Sequence, residues 1–211
     1  MRALRPDKLT LAALVATLEL YRDGQLDAIP TQRLLAVGPA ELRARAGVIA
    51  SHALGHPSQA MTVIGITGTN GKTSISHWLA QAFSLLGHKA ALLGTVGNGF
   101  IGQLTAATHT TPDPVTVQHK LAEYRAEGAQ VVAMEVSSHG LDQFRVNGVA
   151  FASAVFTNLT RDHLDYHGDM AAYGASKARL FHWQGLRHAV INVDDPFGCE
   201  LVASLAGSGV Q

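Results

Sequence analysis

Thr67-Gly-Thr-Asn-Gly-Lys-Thr73 packs two glycines, a lysine and several hydroxyls into one short stretch. Residues of these types at this spacing can hold phosphate. The glycines permit a tight turn whose amides point into one concavity, and a helix N-terminus behind them favours anions. The lysine adds charge, and the threonine hydroxyl reaches Mg²⁺. The flanks fit: Met61–Ile66 is apolar and partly β-branched, as in a strand buried on both faces. From about Ser74, Ile75, Trp78, Leu79, Ala82, Phe83 and Leu86 recur at helical spacing. Ile66 stands where the usual pattern has glycine, so the strand and helix carry the reading.

Glu135 ends a second apolar run, where a carboxylate is costly unless paired or bound to metal. With Thr73 it can hold Mg²⁺; the plainer alternative is a carboxylate hydrogen-bonded to a nearby loop. Asp162-His-Leu-Asp-Tyr-His167 is dense in ligand-type side chains. On a helix His163 and His167 would share a face, a spacing that also suits zinc, but no third or fourth ligand is apparent. The reading favours His163 near a metal and gives His167 no role. Lys177 lies in an apolar helical stretch. It is either a surface lysine or, if desolvated, one that loses its proton readily and becomes a nucleophile or a modification site. Arg145 and Arg161 can each grip a carboxylate or phosphate through two donors, or sit in surface ion pairs.

The elements that must position these groups follow from the same patterns. Helices are expected over Thr10–Tyr21 and Pro39–Leu54, the latter with Leu42, Ala46, Ile49 and Ala53 on one face. Strands are expected at Lys89–Val96, Gln130–Val136, Ala152–Asn158 and His188–Val193. A turn at Gly97-Asn-Gly99 would lead into a short strand, Phe100–Thr105. Asp113 can cap a helix, with Pro114 in its first turn, that runs to Glu127. Further helices are expected near Gly140–Arg145, at Met170–Trp183 and from Phe197 to Leu205. Alternating strands and helices predict an α/β fold: a phosphate-loop NTPase-like, mostly parallel sheet flanked by helices, with a small helical N-terminal appendage. Thr67–Thr73, Glu135–His139 and Thr157–His167 all fall at the carboxyl ends of strands, where such sheets bind ligands.

Composition narrows the class. Hydrophobic residues make up 47% of the 211 and charged ones 15%, enough for a core and unlike a disordered chain. Sixteen basic side chains balance sixteen acidic ones, leaving no excess to attract nucleic acid. No apolar run approaches membrane-spanning length, and the lone Cys199 suits a reducing compartment. A cytoplasmic monomer without nucleic-acid or membrane partners is expected.

The motifs together resemble the Mur ligases: the phosphate loop, Thr110-Thr111, Met134-Glu-Val-Ser-Ser-His-Gly-Leu141 with Gln143 and Arg145, and Phe156-Thr-Asn-Leu-Thr-Arg-Asp-His-Leu-Asp-Tyr-His-Gly-Asp169. The loop alone is shared with folylpolyglutamate synthases; the later motifs resemble the branch that adds a diamino acid to a peptidoglycan precursor. The resemblance implies that ATP phosphorylates the D-glutamate side chain of UDP-MurNAc-L-Ala-D-Glu. The amine of a diamino acid, meso-diaminopimelate on family prevalence, then displaces phosphate to form an amide. It implies that Gly68, Thr69, Asn70, Gly71, Lys72, Thr73 and Ser74 contact ATP. Thr73, Glu135, His163 and Lys177 match Mg²⁺-site positions, Lys177 as a carbamate. Thr110, Thr111, Ser137, Gln143 and Arg145 match positions that grip the UDP-MurNAc-dipeptide. Lys72, His163 and Lys177 are the expected catalytic residues.

Family members have three domains, and the expected division here is a helical remnant over 1–60 and a central ATP-binding domain over 61–211. The chain is accordingly expected to be a fragment that does not complete ligation by itself. A non-catalytic nucleotide- or muramyl-peptide-binding module is the alternative of another class.

Overall fold

A computed structural model of the chain describes residues 8–25, 28–29, 32 and 37–211. It divides into two compact units, residues 1–42 and 43–211. The first contains helix α1, Lys8–Arg22, whose Leu11, Leu14, Val15 and Leu18 are exposed.

The second unit is built on seven strands: β1 Thr62–Thr67, β2 Ala90–Leu93, β3 Asn98–Phe100, β4 Gln103–Thr105, β5 Val131–Glu135, β6 Ser153–Phe156 and β7 His188–Ile191. Their order in the sheet is β4-β3-β2-β5-β1-β6-β7. β2, β5, β1, β6 and β7 run parallel, while β3 and β4 are antiparallel additions at one edge. Alternation along the strands separates two apolar layers. Val63, Leu93, Val132, Met134 and Phe156 pack with Val117, Leu121, Leu180 and Phe181 on one face; Ile64, Ile66, Leu92 and Ala133 pack with Ala80 on the other. No helix of the described residues is long and apolar enough to cross a membrane.

The helices are α2 Pro39–Ala53, α3 Lys72–Leu85, α4 Pro114–Ala126, α5 Ser138–Asp142, α6 Leu164–His167, α7 Met170–Ala178 and α8 Pro196–Ser204. Asp113 caps α4 as expected, accepting from the amides of Val115 and Thr116.

Several expectations need correction. The apolar face read for α2 is not its packing face: Leu42 and Ile49 are 49% and 63% exposed, and Gly47 and Ser51 are buried instead. Close approach decides this, because a Cβ on Gly47 would lie 2.1 Å from the Asn147 carbonyl oxygen. Small residues let the helix backbone touch that loop, where Asn147 Nδ2 also donates to the Ala44 carbonyl at 2.9 Å.

The strand read as Lys89–Val96 stops at Leu93, and Asn98–Phe100 is strand rather than turn, paired antiparallel to β2. Gly94 follows β2, and only glycine fits there, because a Cβ would sit 2.2 Å from Glu135 Oε1. The helix read to Trp183 ends at Ala178, and tighter i→i−3 bonds at Leu180 and Phe181 follow. The change of pitch buries both of those adjacent side chains. The helix expected to reach Arg145 stops at Asp142, because Phe144 takes a left-handed φ of 59°.

Candidate functional site

The phosphate-loop residues lie between the carboxyl end of β1 and the start of α3, which begins at Lys72 rather than Ser74. Gly68 has φ +145°, and a Cβ there would meet Thr157 Oγ1 at 1.9 Å, so backbone conformation and space both demand glycine. A second loop, following β6, holds this one in shape. Asn158 Oδ1 accepts from the Asn70 amide at 3.0 Å, and Thr157 Oγ1 donates to the Asn70 carbonyl at 2.6 Å. Thr69 Oγ1 meets the Thr160 amide at 3.0 Å and the Tyr173 hydroxyl at 3.2 Å. Ser74 is exposed and, with Asn70, Gly71, Trp78, Asn158 and Asn192, lines a cleft of about 550 Å³ beside the loop.

Two lysines converge on one carbonyl. Lys72 Nζ donates to the Gly68 and Thr69 carbonyls, each at 2.9 Å, and Lys177 Nζ donates to the same Gly68 oxygen at 2.9 Å. Lys177 is 1% exposed, so the surface alternative fails. Its ammonium lies 4.4 Å from the centre of the Tyr173 ring. Burial, then the charge of Lys72, lowers its pKa to about 7, against a smaller opposing pull from Asp162. Burial also lowers Lys72, opposed by Glu135 and Asp162.

Glu135 is 1% exposed at the end of β5. Its Oε2 accepts from Thr73 Oγ1 at 2.9 Å and Thr95 Oγ1 at 3.0 Å; its Oε1 accepts from the Thr95 amide at 3.0 Å. A buried carboxylate with neutral hydroxyl partners, one step from a phosphate loop, is a hard oxygen set of the kind Mg²⁺ takes. Thr73 and Glu135 therefore fit that ion.

His163 lies apart from this pair. It takes a left-handed φ of 53° at the start of the short α6, and its Nε2 lies 3.5 Å from Asp162 Oδ2. Its ring meets that of Tyr173 edge to face, with 6.0 Å between ring centres. His163 and His167 stand one helical turn apart, joined by the bond from the His167 amide to the His163 carbonyl at 3.0 Å, and both rings turn to His139, at 4.8 and 5.4 Å between centres. His167 Nε2 also lies 3.0 Å from Ser138 Oγ. Burial first, then the neighbouring histidines, lowers the His139 pKa. Among the described residues no cluster of three or more His, Cys, Asp or Glu side chains could hold a metal. Arg161 is exposed.

The remaining candidates gather around a second cleft. Thr110 Oγ1 donates to Thr95 Oγ1 at 3.0 Å, since the Thr95 proton goes to Glu135, and buried Thr111 Oγ1 donates to the Glu135 carbonyl at 2.9 Å. Ser137 caps α5 by accepting from the Gly140 amide at 3.0 Å. Arg145 Nη1 donates to the Thr111 carbonyl at 2.8 Å, and Nε and Nη2 donate to Gln143 Oε1 at 3.0 and 2.6 Å. Gln143 and Arg145 line a cleft of about 830 Å³ with Asn98, His109, Asp113 and Tyr166. The residues without an assigned role in the sequence reading are Thr95, Thr157, Asn158, Thr160, Tyr166 and Tyr173. Their signal was position, since the 157–160 segment and Thr95 both follow strand ends on the ligand-binding edge.

Comparison with known proteins gives this geometry a family. The Mur ligase middle domain matches residues 66–211. A second family model, L-seryl-tRNA selenium transferase, matches residues 1–80, under half of the chain. UDP-N-acetylmuramoyl-L-alanyl-D-glutamate–2,6-diaminopimelate ligase of Chromobacterium violaceum is 77% identical over 164 residues, covering 78% of this chain and 33% of the relative. Its namesake in Neisseria meningitidis serogroup B is 61% identical over 183 residues, covering 87% and 37%. The chain thus spans about a third of the length of these curated relatives. A solved structure of a protein of the same name superposes with TM-score 0.73 at 40% identity, covering 83% of this chain and 36% of that one. Mycobacterium tuberculosis folylpolyglutamate synthase, solved with ADP and AMPPCP, reaches TM-score 0.59 at 18% identity over 79% of this chain and 45% of that one, a likeness of fold alone. The phosphate loop, the sheet and the match over residues 66–211 identify this chain as a member of the Mur ligase family.

Proposed function

We propose that this chain supplies the ATP-binding and acceptor-binding core of a cytoplasmic ligase that joins meso-diaminopimelate to UDP-MurNAc-L-Ala-D-Glu. The observation that carries the reading is a convergence at one sheet edge. The phosphate loop, the Thr73–Glu135 pair, buried Lys177 and the Gln143–Arg145 pair all meet there. ATP lies along Gly68–Ser74, with Lys72 and the loop amides on its phosphates. Thr110, Thr111, Ser137, Gln143 and Arg145 hold the UDP-MurNAc-dipeptide so that its glutamate carboxylate faces the terminal phosphate.

Both substrates are anionic, so their approach needs offsetting charge. Mg²⁺, held by Thr73 and Glu135 with His163 and Lys177 serving a second ion, supplies that charge when bound. Lys72 and Arg145 contribute the protein's own share. Lys177 suits a further role: with its pKa near 7, much of the amine is neutral at physiological pH. A neutral amine adds CO₂ with loss of one proton, giving an anionic carbamate whose oxygens are hard donors. Closure of the loop by Asn158, Thr157 and Thr160 keeps the phosphate cradle formed before ligand arrives, which favours in-line positioning.

Calorimetric titration with AMPPCP tests the nucleotide half. The chain should bind it saturably with Mg²⁺, more weakly without, and Lys72→Ala should weaken it by about tenfold or more, roughly one charge-assisted contact. A folded chain that binds no AMPPCP at millimolar concentration would contradict the reading.

A further inference from the structure

We propose that Tyr166 is a positioning residue for Arg145, acting through the Gln143 amide. The inference rests on the functional reading above only in its choice of ligand. Tyr166 comes from α6 and lines the same cleft as Gln143 and Arg145. Its hydroxyl donates to Asp142 Oδ2 at 2.8 Å and accepts from Gln143 Nε2 at 3.2 Å. Gln143 Oε1 in turn accepts from two nitrogens of Arg145.

Donor and acceptor counts fix the polarity of this chain of bonds. An ionised aspartate only accepts, and a guanidinium only donates. The single tyrosyl proton is therefore spent on Asp142, so the tyrosyl oxygen must accept from the glutamine NH₂. That leaves the glutamine oxygen facing Arg145. Tyr166 thus sets which way the Gln143 amide points.

The consequence reaches the cleft. Arg145 uses Nε and one N–H of Nη2 on Gln143, and one N–H of Nη1 on the Thr111 carbonyl. Among the described residues one N–H remains unused on each terminal nitrogen, and each can donate to a carboxylate or phosphate oxygen. The far end is anchored too: Asp142 Oδ1 lies 3.8 Å from Arg179 Nη1, and that guanidinium stacks 5.0 Å over Phe144, the left-handed residue between Gln143 and Arg145. Tyr166 packs against His139 at 4.3 Å between ring centres, which fixes where its hydroxyl lies.

Two readouts on the full 211-residue chain test this: the Kd of UDP-MurNAc-L-Ala-D-Glu by calorimetry, and hydrogen exchange of the Arg145 Nε–H by ¹⁵N NMR without ligand. The Nε–H signal is assigned by its loss in Arg145→Ala. Tyr166→Phe should raise Kd about five- to tenfold, the size of one net hydrogen bond, and speed Nε–H exchange. Asp142→Asn, which removes the obligate acceptor, should shift both in the same direction. If Tyr166→Phe leaves both unchanged while Arg145→Ala still weakens binding, the positioning role is overturned and the functional reading stands. Weaker binding with unchanged exchange also overturns it, because Tyr166 would then touch the ligand directly. Faster exchange with unchanged Kd overturns it equally, since Arg145 would then not depend on the orientation for binding. If the parent chain does not bind the UDP-MurNAc-dipeptide, the functional reading falls, and exchange in Tyr166→Phe alone decides whether Tyr166 positions Arg145.

Discussion

Thr73 Oγ1 donates to Glu135 Oε2 across 2.9 Å, joining the first turn of the helix behind the phosphate loop to the last residue of the neighbouring strand. Parallel register brings them together: Ile66 lies opposite Glu135, so both chains reach the edge at the same level. Each partner serves the fold now and has an oxygen to offer a cation.

Glu135→Gln separates those two roles. The amide keeps an oxygen for the threonine hydroxyls but loses the charge, and it turns its NH₂ toward the Thr95 amide that Oε1 now accepts from. The Mg²⁺-dependent gain in AMPPCP affinity should shrink by about tenfold or more, while affinity without Mg²⁺ changes little. Titrations with and without the ion read this directly. An undiminished Mg²⁺ effect would place the ion elsewhere.

Gly68→Ala should damage loop and stability together. The added methyl must displace Thr157 Oγ1, 1.9 Å from the ideal Cβ, at a backbone angle that favours glycine. A cost of about 2–3 kcal/mol is expected from strain and overpacking, measured by urea denaturation, along with lost AMPPCP binding. A variant as stable as the parent would mean that the two loops are not rigidly joined.

Lys177 gives the protein a pH dependence with a definite sign. Its folded pKa is lowered from 10.5 to about 7, whereas unfolding returns it to the ordinary value. Between those limits the unfolded chain binds more protons, so stability rises with pH across that window. Below about 7 the amine is charged in both states and the cost of burying it is fully present. Lys177→Met should therefore flatten the stability curve between pH 7 and 10, where this one proton accounts for at most about 1.4 kcal/mol per pH unit. Parallel curves for the two proteins would show that Lys177 is not desolvated in solution.

Much of this site was legible because its residues break local patterns. A carboxylate closing an apolar strand, glycines before a lysine, and a lysine within an apolar helix each conflict with simple burial, and all three stand at the edge. The placement of the polar clusters at strand ends was equally readable, since a βα alternation fixes which edge they share. Other features depended on contacts between distant segments. Nothing local to α2 signals that Gly47 and Ser51 are buried, Gly47 against the Asn147 loop, while Leu42 and Ile49 are exposed. Phe144 at positive φ carries no local signal either, and the contact over its ring comes from Arg179, a distant residue at the end of α7. The second loop's grip on Asn70 spans almost ninety residues, so Asn158 carried only its position as a clue.

The most direct test of the central claim is calorimetric titration of the 211-residue chain with UDP-MurNAc-L-Ala-D-Glu, repeated with Arg145→Ala and with a folate in place of the muramyl ligand. Saturable binding of the muramyl dipeptide, weakened by about tenfold or more in the variant and not reproduced by the folate, is the predicted result. A folded chain that binds the folate instead, or that binds the dipeptide equally well without Arg145, would contradict the assignment of this cleft.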